Sequence, residues 1–151
     1  MKFVATTVLI LPLVFVLACQ DAGDDGGNSD VDKAIEAARL RKAQIQSAGK
    51  LIHICMMALE TYRAQASYYP TQAEGGLYAL IREPENGGET RHYRWNGPYL
   101  DCKTLKDPWG NELRYEPDGG PDGRGRPRIW SYGPNGEDDG GKGDDIRSWQ
   151  E

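Results

Sequence analysis

The segment between Ser29 and Pro70 constrains the fold most, because apolar and small residues recur there at alternating spacings of three and four. This spacing predicts one stripe of a helix, made of Val31, Ile35, Ala38, Ile45, Gly49, Ile52, Met56, Leu59 and Tyr62. Ser29 with Asp32 three positions later resembles a capping box. Pro70 stops the helix, because the residue before proline avoids the α conformation. We therefore predict a helix over residues 30–67, about 55 Å long at about 1.5 Å per residue.

The two halves of this predicted helix differ in character. The second half, "LIHICMMALETY", is apolar on more than one face, so we expect it to be buried. The first half is weakly amphipathic and carries many charges. We expect the first half to project from the domain or to contact a partner.

The remaining elements are short. The spacing predicts a helix over residues 72–82, closed by Pro84. "ELRYE" and "RIWSY" are predicted to pair as a β-hairpin, since both alternate and turn residues lie between them. The 151 residues suffice for one ordinary domain. The fold class is therefore α+β: a long N-terminal helix packed on a small antiparallel sheet, with a loop-rich C-terminal half.

The N-terminus is typical of a targeting segment rather than of a folded element. A run without charge extends from Phe3 to Leu17, which is short for a membrane span of about 20 residues. It ends in "VLAC", which resembles a lipobox, so we predict a lipoprotein signal peptide over residues 1–18 and lipidation of Cys19. A plain secretory signal remains the alternative. Residues 19–29 are acidic and rich in glycine, which indicates a flexible tether before a domain at 30–151.

Two further cysteines, Cys55 and Cys102, remain if Cys19 carries a lipid. An even number of cysteines in an exported protein favours a disulfide between them. Two buried free thiols are the alternative, because cysteine also behaves as a small apolar residue. No "CxxC" spacing or histidine cluster accompanies them, which argues against a metal pair.

Five segments, in order, resemble one known family: "YYPTQAEGGLYALIREP", "WNGPYL", "KDPWGNELRYE", "IWSYGPNG" and "GGKGDDIRSW". They are similar to the periplasmic domain of the major pseudopilin, the G component of type II secretion systems. The resemblance implies a long helix over a small sheet, subunits that polymerise into a pseudopilus, and a calcium ion bound by the C-terminal loop. The family's hydrophobic N-terminal helix and its Phe-Thr-Leu-Ile-Glu opening are absent here. The sequence thus looks like a pseudopilin domain carried on a lipoprotein anchor.

The candidate metal site lies in "GPNGEDDGGKGDDI", residues 133–146. Calcium takes six to eight oxygen ligands, and glycines allow a chain to double back around it. The residues alone favour a solvated acidic loop, because the EF-hand spacing is missing. The family resemblance implies a calcium site instead. The predicted ligands are Asn135, Asp138, Asp139, Asp144 and Asp145.

Composition and motifs exclude two classes of function. A net charge of −5 and a pI near 5.1 argue against a nucleic-acid partner. No nucleophile–base motif stands in a supporting context, so no catalytic residues and no enzymatic activity are predicted. The sequence predicts an exported structural protein on the periplasmic side or cell surface, with secretion-system proteins or its own copies as partners. The alternative is a lipoprotein that keeps the fold as a ligand- or protein-binding module.

Overall fold

A computed structural model describes residues 26–84, 95–119 and 125–150. The predicted signal peptide, Cys19 and the first part of the tether lie outside these ranges. Helix α1 spans Gly26–Ala66, so it begins earlier than predicted and includes the last residues assigned to the tether. Ser29 lies within the helix, and the predicted capping box is wrong. Extending a long helix by one turn costs little once it is nucleated.

Burial divides α1 largely as the sequence predicts, except that Ile54 and Met57 in the C-terminal half are 51% and 60% exposed, so that half is buried on one face only. Its C-terminal half contributes side chains with at most 6% exposure to the core: Ala48, Ile52, Cys55, Ala58, Leu59 and Tyr62. In the N-terminal half, Val31 is 55% exposed and Leu40 is 60% exposed. Helices within the described ranges are either too short or too polar to cross a membrane.

The short helix predicted over residues 72–82 forms instead as two 3-10 helices, Gln72–Glu74 and Gly76–Leu80. Gly75 separates them with a φ of 91°, a left-handed conformation that ends the first turn. Thr71 caps that turn, because Glu74 Oε2 accepts its backbone N–H and its hydroxyl, both at 2.8 Å. Leu77 and Leu80 then reach the core beside α1.

Three strands form an antiparallel sheet in the order β1 (Arg114–Glu116), β2 (Arg128–Ser131) and β3 (Ile146–Arg147). The predicted hairpin is confirmed, with Tyr115 opposite Ile129. The sequence did not predict β3, which is only two residues long and follows an acidic loop. The α+β architecture of a long helix over a small antiparallel sheet is confirmed.

The predicted disulfide is not formed in this structure, where Cys55 and Cys102 are free thiols. Cys55 is buried on the core face of α1, and Cys102 packs against the edge of the same core. Burial raises the pKa of Cys55 to about 12, and the nearby Cys102 thiol adds to that increase. Both sulfurs are therefore accommodated as apolar groups in the packing.

Candidate metal centre in the C-terminal loop

A buried hydrogen-bond network fixes the start of the acidic loop. The Ser131 hydroxyl, at the end of β2, donates to Asp107 Oδ2 at 2.6 Å and accepts the N–H of Gly133 at 3.1 Å. Asp107 Oδ1 accepts the N–H groups of Trp109 and Asn111 at 3.0 and 2.9 Å. The network ties the loop to the turn before β1. Sequence reasoning missed it, although an aspartate opening "DPWGN" is a known signal for a side chain that caps its own turn.

Glycines let the loop fold tightly on itself. Gly133 has a φ of 66°, and a Cβ there would collide with the backbone carbonyl of Asp144. Gly141 has a φ of 79°, and a Cβ there would collide with the ring of Trp149. Both close approaches bring the two ends of the loop together, next to β2 and β3.

Asp145 has the strongest chemical need for a cation among the predicted ligands. Its Oδ2 accepts the N–H groups of Asp139 and Gly141 at 3.2 and 2.8 Å. Its Oδ1 is buried and has no hydrogen-bond partner among the described residues. Burial, followed by the charges of Asp139 and Asp138, raises the pKa of Asp145 above its ordinary value. A buried carboxylate oxygen without a donor is costly, and a bound cation would remove that cost.

Asn135 and Asp144 lie on the other side of the loop. Asp144 Oδ2 accepts the N–H of Asn135 at 3.3 Å. Asn135 Oδ1 accepts the N–H of Glu137 at 2.8 Å, so its amide braces the turn. Both side chains therefore support the loop backbone as hydrogen-bond acceptors.

Asp138 makes its contacts with the sheet and with Gly140 of the loop. Its Oδ1 accepts the indole N–H of Trp130 at 3.0 Å and the N–H of Gly140 at 3.1 Å. Arg114 Nε lies 3.5 Å from Oδ2. The Trp130 hydrogen bond, more than any other contact, holds the pKa of Asp138 below its ordinary value. Both oxygens of Asp138 lie near a donor, whereas Asp145 Oδ1 has none among the described residues, so Asp145 has the greater need of a cation.

The predicted ligands thus form two linked sets, Asp139 with Asp145 and Asn135 with Asp144, while Asp138 faces the sheet. Within residues 26–84, 95–119 and 125–150, no three side chains of the His, Cys, Asp or Glu type converge closely enough to hold a metal. The donor chemistry suits calcium, which also uses amide and backbone oxygens. A calcium ion beside Asp145 would therefore need amide or backbone carbonyl oxygens of the loop in addition to carboxylates.

Comparison with known proteins agrees with this architecture. A family model described as type II secretion system (T2SS), protein G, matches residues 36–149. The chain belongs to this family. The match includes the buried half of α1, the sheet and the whole acidic loop, and it confirms the resemblance carried by the sequence motifs.

Two T2SS relatives show the same relationship. The chain is 38% identical over 109 residues to the type II secretion system core protein G of Vibrio cholerae, covering 72% of this chain and 70% of that protein. It also resembles the crystal structure of the major pseudopilin from the type 2 secretion system of enterohaemorrhagic Escherichia coli. The TM-score is 0.59 at 31% identity, covering 74% of this chain and 87% of that one.

Proposed function

We propose that the protein is a non-catalytic, structural subunit that assembles with other components of a type II secretion system on the periplasmic side of a membrane. Family membership supports this role. The observation that carries it is the exposed N-terminal half of α1, where Val31, Ile35 and Ile45 lie on one face of the helix and are 39–55% exposed. Such a row of apolar side chains is typical of a helix that packs against another protein.

Site-specific photo-crosslinking in the native host tests this assembly role. A photoreactive residue at Ile35, on the exposed apolar face, should give crosslinks to copies of this chain or to secretion components. The same residue at Lys103, which is exposed on the globular part, serves as the control and should give fewer. The proposal would be contradicted if neither probe gives crosslinks and if cells that lack the protein secrete normally. That result would favour the alternative of a lipoprotein that uses the fold as a binding module.

We further propose that the acidic loop binds calcium. The unpaired Oδ1 of Asp145 supports this, because a cation would compensate a carboxylate that is buried beside Asp139. Asp139, Asp144 and the Asn135 amide are the other described side chains that would hold the ion. Asp138 could join them while it keeps its hydrogen bond from Trp130, because each carboxylate oxygen has two lone pairs. When bound, calcium would supply positive charge that stabilises the loop.

Thermal unfolding with calcium and with a chelator tests this site. Calcium at 100 times its dissociation constant should stabilise the folded state by about 2.7 kcal/mol. Asp145→Asn should abolish that increase, since the amide places a donor where the ion needs an oxygen. Glu137→Gln is the matched control, because it removes one charge from an exposed position in the same loop and should keep the increase. An equal calcium response in both variants would exclude Asp145 as a ligand.

The lipid anchor at Cys19 is also a proposal, supported by the "VLAC" motif. Metabolic labelling with a radioactive fatty acid should mark the protein, and Cys19→Ser should lose both the label and membrane association. Labelling that persists in Cys19→Ser would refute this assignment.

A further inference from the structure

The side of the sheet that faces away from α1 carries an arginine on every strand. Arg114 in β1 and Arg147 in β3 lie opposite Trp130 in β2, so the three share one side of the sheet. Arg128, two residues before Trp130, shares that side as well. We call this surface the outer sheet face. It is cationic and aromatic in a protein whose net charge is −5.

A cavity of about 350 Å³ opens on the outer sheet face beside the acidic loop. Trp130 and Trp149 meet edge to face in its wall, with ring centroids 5.8 Å apart. Arg128 and Arg147 stack on Trp149, with Cζ at 4.9 and 5.9 Å from the ring centroid. Lys142, from the loop, also lines the cavity. We call this cavity the Arg–Trp pocket.

The Arg–Trp pocket is organised to receive a carboxylate. Stacking on an indole holds a guanidinium plane in place, so less side-chain freedom is lost when a ligand binds. Guanidinium groups bind carboxylates through paired hydrogen bonds. Glu116, which lies opposite Arg128 across the strands, is the one carboxylate in the lining, against Arg128, Lys142 and Arg147. The local charge therefore favours an anion.

A second cavity, of about 660 Å³, continues the groove along β1 toward Gln72 and Tyr78. The two cavities share Glu116, Trp130 and Gly140 in their walls. Charge reverses along the groove, because the second cavity is lined by Glu112, Glu116 and Asp138 with Arg114 as their cationic neighbour. A ligand that fills both cavities must be extended, with an anionic group at one end and a cationic group at the other.

We propose that this groove binds an extended peptide segment of another protein, with an acidic side chain in the Arg–Trp pocket and a basic side chain near Glu112. A peptide fits better than a small anion because the two cavities are continuous and the charge of their linings changes sign. The inference goes beyond the assembly role, and it does not require calcium. The ion would affect it through the positions of Asp138, Gly140, Gly141 and Lys142, which the loop contributes to the groove.

Selection from a random dodecapeptide library on the full-length protein, with and without calcium, tests the proposal. Selected peptides should combine at least one acidic and one basic residue. Their affinity, measured by fluorescence anisotropy, should fall about tenfold or more with Arg128→Gln, as expected for a lost charge-assisted contact. It should also fall as salt concentration rises.

Two further variants keep the test decisive if Arg128→Gln perturbs the sheet. Lys142→Gln, at an exposed loop position, should weaken binding about threefold. Lys50→Gln removes the same charge from α1 and should change affinity less than about twofold. Selected peptides that do not combine an acidic with a basic residue would overturn the proposal. Equal losses of peptide affinity in Lys142→Gln and Lys50→Gln would also overturn it. Displacement of the peptides by inorganic phosphate at low concentration would also overturn it, in favour of a small-anion site.

Discussion

Replacing Ser131 by alanine is the sharpest test of how the acidic loop is held. The hydroxyl is fully buried and links Asp107 Oδ2, at 2.6 Å, to the N–H of Gly133, at 3.1 Å. A hydrogen bond to a charged group contributes about 1.5–3 kcal/mol, and a buried donor left unpaired costs about 1–3 kcal/mol. Ser131→Ala loses both interactions, so we expect the free energy of unfolding to fall by about 3–4 kcal/mol. That is a large share of the about 5–15 kcal/mol typical of a domain.

Urea unfolding followed by circular dichroism measures this loss. The midpoint should shift while the dependence on urea concentration stays the same, because the same surface is exposed on unfolding. Thr61→Ala is the control, since that hydroxyl is exposed on α1 and donates only to the carbonyl of Met57. Its effect should stay within about 0.5 kcal/mol. A fall in the free energy of unfolding of less than about 1 kcal/mol in Ser131→Ala would refute the role of the network. So would a double variant with Asp107→Asn whose loss of stability equals the sum of the two single losses.

Three other predictions concern titration, thiol reactivity and packing. Because folding raises the pKa of Asp145, the folded state binds more protons, and this residue's contribution to stability falls as pH rises through the carboxyl range. Thermal unfolding in the presence of chelator, at about pH 4 and at about pH 7, tests this. The loss of stability from the lower to the higher pH should be smaller in Asp145→Asn than in the unsubstituted protein. At pH 8, iodoacetamide should modify Cys102 before Cys55, whose pKa is about 12, and mass spectrometry that finds the reverse order would contradict the burial of Cys55. Leu59→Ala should cost about 2–5 kcal/mol because Leu59 is fully buried, whereas Leu40→Ala, at a site 60% exposed, should cost less than about 0.5 kcal/mol in urea unfolding.

The sequence predicts the elements whose periodicity spans several turns or strands. The stripe from Ile52 to Tyr62 and the alternation around Tyr115 and Ile129 both report burial, because one face must repeat along the chain. These two patterns suffice for the helix, the hairpin and their packing. They also locate the exposed half of α1, where the apolar residues lie farther apart.

Local patterns are less informative where the conformation of one residue or a long-range contact decides the structure. Gly75 divides the predicted short helix, because its left-handed conformation cannot continue a helical turn. The sequence groups Asp138 with the other loop carboxylates as a predicted ligand, but it does not indicate the contacts of this carboxylate with Trp130 and Arg114. Asp138 has the same charge as Asp139, which follows it in the sequence. The two differ in their contacts, because Asp138 is held by Trp130 of β2 and Arg114 of β1.

Because α1 has a packed half and a projecting half, a small tilt of the packed half becomes a larger displacement at the N-terminal end. From Ala48, where burial begins, to Val31 the helix extends about 25 Å at about 1.5 Å per residue. A tilt of about 5° at the core would move Val31 by about 2 Å, which is comparable to the helix shifts that switch protein interfaces. A substitution beneath Leu59 or Tyr62 could therefore change how the projecting half meets a neighbour without altering any residue on its surface.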